Sequence, residues 1–306
     1  MTFLVTGGTG FLGSHLVRAL EARGEDVFAV SSKSCDLTCQ TDTERLFAET
    51  KPRVVYHLAA EVGGIGANQA NPGRYWYANS MMGINVLEQS RLHGVEKLVM
   101  VGTICSYPKF APIPFAEDDL WNGYPEETNA PYGLAKKNVL VGADAYRAQY
   151  GLNAITLLPV NLYGPGDNFD LETSHVIPAL IRKMEHARSN DLDDVVLWGD
   201  GSPTREFLYV DDCVTGLMLA EQRYSKPAPV NLGTGMEISI FDLAATVAEA
   251  VGYMGSITWD ASRPNGQPRR RLDTSRASAE FGFDATTSFS EGVRRTVEWF
   301  RTSFES

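Results

Sequence analysis

Tyr132 and Lys136, four residues apart, form the most chemically suggestive pairing in the chain. A phenol exchanges its proton with a ketone or alcohol oxygen near neutral pH only where its pKa is lowered. An ammonium one helical turn on, and so on the same helix face, lowers it by stabilising the phenolate. Thr103 adds a hydroxyl able to hydrogen-bond an oxygen that is gaining negative charge. Gly7, Gly10 and Gly13 add a turn of the kind that receives a pyrophosphate. An orienting hydroxyl, a proton donor, a cation and a dinucleotide together make a set that interconverts a ketone and an alcohol by hydride transfer.

Those residues must be held by regular elements, and the sequence predicts them. Thr2–Thr6, Val27–Val30, Val54–Leu58, Leu98–Val101 and Ala154–Leu158 read as buried strands. Phe11–Arg23, Thr41–Thr50, Pro72–His93 and Pro131–Tyr150 read as helices between them. Such alternation predicts an α/β fold: a Rossmann-like, doubly wound parallel sheet with both faces covered. From about Tyr163 the pattern changes. Gly and Pro punctuate longer loops between helices expected at Val176–Arg188, Val210–Glu221, Ile240–Val251 and Phe289–Phe304. The expected division is therefore residues 1–162 as a dinucleotide-binding domain. Residues 163–306 form mainly a smaller substrate-binding lobe, with some segments returning to the main sheet.

Composition narrows the partners. The net charge of −11 argues against nucleic acid and anionic membrane surfaces. An anionic substrate would then need a local cationic patch, for which Arg205 and Arg269–Arg271 are the candidates. No run of eighteen apolar residues exists, and the chain opens on a strand with no basic leader, so a cytosolic protein is expected. Cys35, Cys39, Cys105 and Cys213 show no CxxC spacing and have no histidines completing a zinc set, so no metal is expected.

At the nucleotide end, Thr6–Gly13 joins the first strand to the first helix, the context the glycine fingerprint requires. Gly7 and Gly10 let the backbone turn and approach a pyrophosphate, Gly13 lets helix and strand pack closely, and Phe11 and Leu12 open the helix there. The second strand runs into Ser31, Ser32 and Lys33. No carboxylate stands there to bind a ribose 2′-hydroxyl or repel a 2′-phosphate, so the expected cofactor is NADP(H), with NAD(H) left open. Asp36 and Leu37 are placed for the adenine edge, and Leu58, Ala59 and Ala60 are small enough to let the cofactor lie flat.

At the catalytic end the chain resembles the extended short-chain dehydrogenases/reductases of the nucleotide-sugar epimerase/dehydratase group, and among them the GDP-L-fucose synthases. The resemblance rests on segments spanning nearly the whole sequence: 57–68 (HLAAEVGGIGAN), 105–109 (CSYPK), 131–136 (PYGLAK), 161–165 (NLYGP), 167–169 (DNF), 174–180 (SHVIPAL) and 205–212 (REFLYVDD). It implies an NADPH-dependent 3,5-epimerisation and 4-reduction of a GDP-4-keto-6-deoxy-hexose. Thr103, Tyr132 and Lys136 fall on the family's Ser/Thr and Tyr-x-x-x-Lys. Cys105 matches the base that removes protons beside the ketone, and His175 the acid that returns them from the other face. A thiolate and an imidazole can both exchange protons near neutral pH.

The resemblance further implies cofactor contacts from Lys136, Pro159, Asn161, Leu162 and His175. It implies substrate contacts from Asn161, Arg182, Lys183, Trp198, Arg205 and Arg270, and a homodimer built through a four-helix bundle from the helices at 72–93 and 131–150. Two departures stand out: Thr9 occupies the glycine loop where fucose synthases usually carry an arginine, and Thr103 replaces the usual serine. The alternatives are a related epimerase or 4-reductase that uses another sugar or inverts one centre, and a non-catalytic dinucleotide sensor. The presence of both Tyr132 and Lys136 argues against the sensor.

Overall fold

The computed structural model describes residues 1–171, 173–262 and 267–303, and for Ile65 the backbone alone. The first half runs β1 (Thr2–Thr6), α1 (Phe11–Ala22), β2 (Asp26–Val30), α2 (Gln40–Thr50), β3 (Val54–His57), α3 (Ile65–Ala70), α4 (Pro72–Leu92), β4 (Lys97–Val101), α5 (Ala130–Tyr150) and β5 (Ala154–Pro159). It continues through β6 (Asn161–Tyr163), α6 (Val176–Ser189), β7 (Asp194–Trp198), β8 (Thr204–Arg205), β9 (Phe207–Tyr209), α7 (Val210–Arg223) and β10 (Val230–Leu232). It closes with β11 (Ile238–Ser239), α8 (Ile240–Val251), β12 (Ser256–Asp260), α9 (Ser275–Phe281) and α10 (Phe289–Ser303). Phe304, the expected end of the last helix, lies outside the described residues.

Six strands form one parallel sheet in the order β10-β5-β4-β3-β1-β2. Its strands are apolar on both faces because both faces are covered. Along β1, Phe3 and Val5 pack toward α1, α7 and α9, while the intervening Leu4 packs toward α2, α4 and α5. The strand order reverses between β1 and β3, and the carboxyl ends of those strands border the crevice where such sheets bind ligands. A separate apolar core, drawn from Tyr163 to Phe300, is built by α6, α8, α10 and the strands beside them. The chain nevertheless crosses back: α7, β10 and α9 contribute Leu217, Leu232 and Phe281 to the core on one face of the main sheet.

Two polar clusters tie these parts together, one joining α1 to the later segments and one within them. His15 of α1 has one ring nitrogen 2.6 Å from Asp211 Oδ1 and the other 2.8 Å from the Pro165 carbonyl. Glu206, fully buried, accepts backbone N–H bonds from Thr234, Gly235 and Leu272 at 2.6, 2.8 and 2.7 Å. Burial pushes this carboxyl's pKa up, and those three donors oppose the rise.

Candidate active site

The turn after β1 is shaped for close approach. Gly7 has φ +70°, which L side chains rarely adopt, and a Cβ there would come within 2.9 Å of the Ala59 amide nitrogen. A Cβ on Gly13 would collide with the Gly7 carbonyl. Gly10 caps α1 in extended conformation, and none of the first-turn N–H groups is taken by a capping side chain. Phe11 and Leu12 open that helix. The cradle is one that a side chain would fill, and its free amides suit a pyrophosphate. Ser31, Ser32 and Lys33 form an exposed turn after β2, tied by Ser34, whose Oγ donates to the Ser31 carbonyl at 3.0 Å. Asp36 is held below its ordinary pKa by hydrogen bonds from Thr38, and Leu37 is buried. Leu58 and Ala60 flank Ala59 on the segment facing the glycine turn.

β4 ends at Val101, and Thr103 starts a short 3-10 turn, Ile104–Ser106. The Thr103 hydroxyl accepts the Cys105 amide at 3.2 Å. A Cβ on Gly133 of α5 would collide with the Cys105 carbonyl, so the absent side chain lets the helix carrying Tyr132 pack directly on the Cys105 turn. Thr103, Cys105 and Tyr132 are thereby brought together. Tyr132 is buried, and burial raises its pKa; the nearby Cys105 adds to the rise and a hydrogen bond with Thr103 opposes it.

The expectation that Lys136 lowers the Tyr132 pKa is corrected here. Lys136 shares the helix face, but its ammonium donates to the Val101 carbonyl at 3.1 Å and does not act on the phenol. Tyr132 is therefore a neutral phenol, suited to giving a proton. Burial lowers Lys136 itself to about 8. His57 sits at the end of β3 with Nδ1 2.8 Å from Thr6 Oγ1. Burial, and then the Lys136 charge, lower its pKa to about 3, so the imidazole stays neutral.

His175 stands at the N-cap of α6, exposed at its surface, and desolvation by the surrounding protein lowers its pKa. Ser174, just before it, meets the glycine segment after β3: a Cβ on Gly64 would lie 3.6 Å from the Ser174 carbonyl. Pro159 ends β5. Asn161 donates to the Glu206 carbonyl at 3.1 Å, and Leu162 follows it on β6.

The expected cationic patch is divided. Arg205 is largely enclosed and donates to the Thr204 carbonyl at 2.7 Å; burial and the neighbouring Arg270 bring its pKa down to about 10. An anion bound beside Arg205 would offset the repulsion between the two guanidinium groups. Arg270 also bonds Gln267. Arg269, by contrast, forms a bidentate pair with Glu237 at 2.9 and 2.6 Å, which occupies its charge. Arg271 is placed by its carbonyl, which accepts the Phe115 amide at 2.8 Å. Arg182 donates to the Phe169 carbonyl at 2.8 Å and so ties its own lobe together. Trp198 is exposed on β7, which excludes a core role, and the Lys183 ammonium lies 5.8 Å from its ring centroid.

A parallel sheet with a glycine cradle at its switch point, and a hydroxyl–phenol–lysine set at the next strand end, define a dinucleotide-dependent α/β enzyme. The chain belongs to the NAD dependent epimerase/dehydratase family, whose family model matches residues 3–233. A GDP-L-fucose synthase of Sinorhizobium fredii is 42% identical to it over 296 residues, covering 97% of this chain and 94% of that protein. A GDP-L-fucose synthetase from Naegleria fowleri, solved bound to NADP, superposes with a TM-score of 0.91 at 28% identity, covering 99% of this chain and 95% of that one. A GDP-6-OMe-4-keto-L-xylo-heptose reductase from C. jejuni superposes with a TM-score of 0.91 at 30% identity, covering 98% and 97%.

Proposed function

We propose that the protein catalyses the NADPH-dependent 3,5-epimerisation and 4-reduction of a GDP-4-keto-6-deoxy-hexose. The observation that carries this reading is the grouping of Cys105, Thr103 and Tyr132 on one turn-and-helix junction, a base candidate beside two hydroxyls. Gly7, Gly10, Phe11, Leu12 and Gly13 hold the pyrophosphate, Ser31–Lys33 the 2′-phosphate, and Asp36, Leu37 and Leu58–Ala60 the adenosine side. Lys136, Pro159, Asn161, Leu162 and His175 complete that pocket. When bound, the reduced dinucleotide supplies the hydride for C4.

The chain's own groups move the protons. Cys105, as thiolate, takes a proton from the carbon beside the ketone. The hydroxyls of Thr103 and Tyr132 hydrogen-bond the enolate oxygen. His175 returns a proton to the opposite face. In the reductive step Tyr132 donates its phenolic proton to the C4 oxygen. Arg205 and Arg270 face the diphosphate, with Asn161, Arg182, Lys183 and Trp198 placed around the sugar-nucleotide in the lobe of residues 163–306, which works against the domain of residues 1–162. The reaction is assigned to the cytosol; no described helix is long and apolar enough to cross a membrane. A homodimer would pair the outer faces of α4 and α5, where Trp76, Tyr77, Ile84 and Val141 are exposed.

NADPH mixed with GDP-4-keto-6-deoxy-D-mannose and catalytic amounts of the protein is expected to be oxidised one for one with sugar reduced. Absence of NADPH oxidation would refute the reading. The structural likeness to the heptose reductase favours one second reading, a 4-reductase without inversion, and the configuration of the product separates the two.

Lys136 gives this reading a pH signature. The folded lysine loses its proton near 8, and an unfolded one near 10.4, so between those values the unfolded chain binds more protons. Stability therefore rises with pH across that window. Activity runs the other way, because the ammonium that Lys136 offers the dinucleotide pocket is lost as pH rises through about 8. A pH series of kcat/KM for NADPH, which reports the free enzyme, is expected to fall on a basic limb centred there. A profile flat through that region would remove the charge of Lys136 from the mechanism.

A further inference from the structure

The segment Leu58–Gly64 has no regular structure, yet it touches both ends of the site. Ala59 backs the Gly7 turn, and Gly64 lies against the Ser174 carbonyl next to His175. Two buried asparagines hold it. Asn79, 2% exposed in the middle of α4, accepts the Glu61 amide at 3.2 Å and donates to the Glu61 carbonyl at 2.8 Å and the Tyr75 carbonyl at 2.7 Å. Both of its N–H donors are thus spent. Asn68, 4% exposed, donates to the Gly63 and Gly64 carbonyls at 2.7 and 3.1 Å. Asn79 also lines a small cavity of about 10 Å³ together with His57 and Lys136.

Asparagine is a poor residue for a helix interior, so a buried one that spends its amide on a neighbouring loop is there for the loop. Glu61 also carries an exposed bidentate pair with Arg74 at 2.8 and 2.5 Å. Solvent screens that pair, so the buried amide is the stronger tether. We infer that Asn79, with Asn68, is a positioning residue that fixes the Glu61–Gly64 segment as the spacer between the glycine turn and His175. Neither asparagine touches a reacting atom. Their contribution is to keep the proton donor on one face of the sugar in register with the base and phenol on the other, where a displacement of about 1 Å costs up to about 10²-fold.

This inference rests on the proposed roles of Cys105 and His175, and its test separates the two. Asn79→Asp keeps the acceptor for the Glu61 amide but turns a carboxylate oxygen toward two carbonyls. Asn68→Ala releases only the Gly63–Gly64 end. Amide hydrogen exchange on the full chain is expected to speed up by about tenfold or more at Glu61–Gly64 in both variants, with β1 and β3–β5 still protected. In D₂O with NADPH and the keto sugar, both are expected to raise the share of reduced product carrying fewer than two carbon-bound deuterons, by about tenfold over the unmodified protein. Their affinity for NADPH is expected to change by less than about threefold, well under 1.4 kcal/mol.

Unchanged exchange at Glu61–Gly64 would overturn the inference whether or not the sugar reacts. So would faster exchange with an unaltered deuterium pattern in an unmodified protein that turns over. Failure of the unmodified protein to take up any deuterium would instead strike the proposed function, and the exchange result would still decide the tether. Exchange that rises equally over the whole sheet, in both variants, would mark the asparagines as general fold residues and refute the positioning role.

Discussion

Replacing Tyr132 by Phe is expected to lower the rate of NADPH-dependent reduction by about 10³-fold, within the range of general acid catalysis. The ring stays, so the buried site against the Cys105 turn keeps its packing, and only the donor is lost. Burial and the adjacent Cys105 hold this phenol above its ordinary pKa, so it enters the reaction protonated. The hydroxyl beside it is that of Thr103. An aliphatic hydroxyl is a much weaker acid than a phenol and would substitute poorly. Single-turnover loss of NADPH fluorescence measures the step. A variant reducing the sugar within about threefold of the unmodified rate would remove Tyr132 as the donor.

Cys105→Ser is expected to act on the other half of the chemistry. Serine preserves the backbone bond to Thr103 and nearly the same volume, but its hydroxyl is far too weakly acidic to supply an anion near neutral pH. Deuterium incorporation from D₂O at the carbons beside the ketone is expected to drop by about 10²- to 10³-fold, while Tyr132, Thr103 and Lys136 remain in place. Reduction without inversion should then appear as a slow side reaction. Incorporation at the unmodified rate would assign the base to another group.

The main sheet was legible because its strands are buried on both faces and read as continuous apolar runs, each followed by a helix with its own periodicity. β10 was not legible: Val230–Leu232 is three residues between Pro229 and Gly233, too short to show a period, and only its seat beside β5 makes it a strand. β7 and β12 are long enough, at five residues each, but lie in a loop-rich stretch and pair only with each other across some sixty residues of chain. α3 and α9 are too short to announce themselves, at 6 and 7 residues.

In the site, residue types were readable and directions were not. The i, i+4 spacing placed Tyr132 and Lys136 on one face, but which carbonyl the ammonium reaches depends on where β4 ends. Three consecutive arginines looked alike until Glu237 took Arg269 and left Arg270 beside Arg205. Nothing in the sequence alone says which way Trp198 faces, and strand alternation turns it outward. Asn79 carried a signal that went unread: an amide within an otherwise apolar helix turn must find its partners elsewhere.

Product mass after one turnover in D₂O tests the central claim most directly. The protein is incubated with NADPH and GDP-4-keto-6-deoxy-D-mannose, and the deuterons bound to carbon in the reduced sugar are counted. Two solvent deuterons on carbon are predicted, one from each inversion, in a product reduced at C4. A reduced product carrying one or none would contradict the two-centre epimerisation assigned to Cys105 and His175.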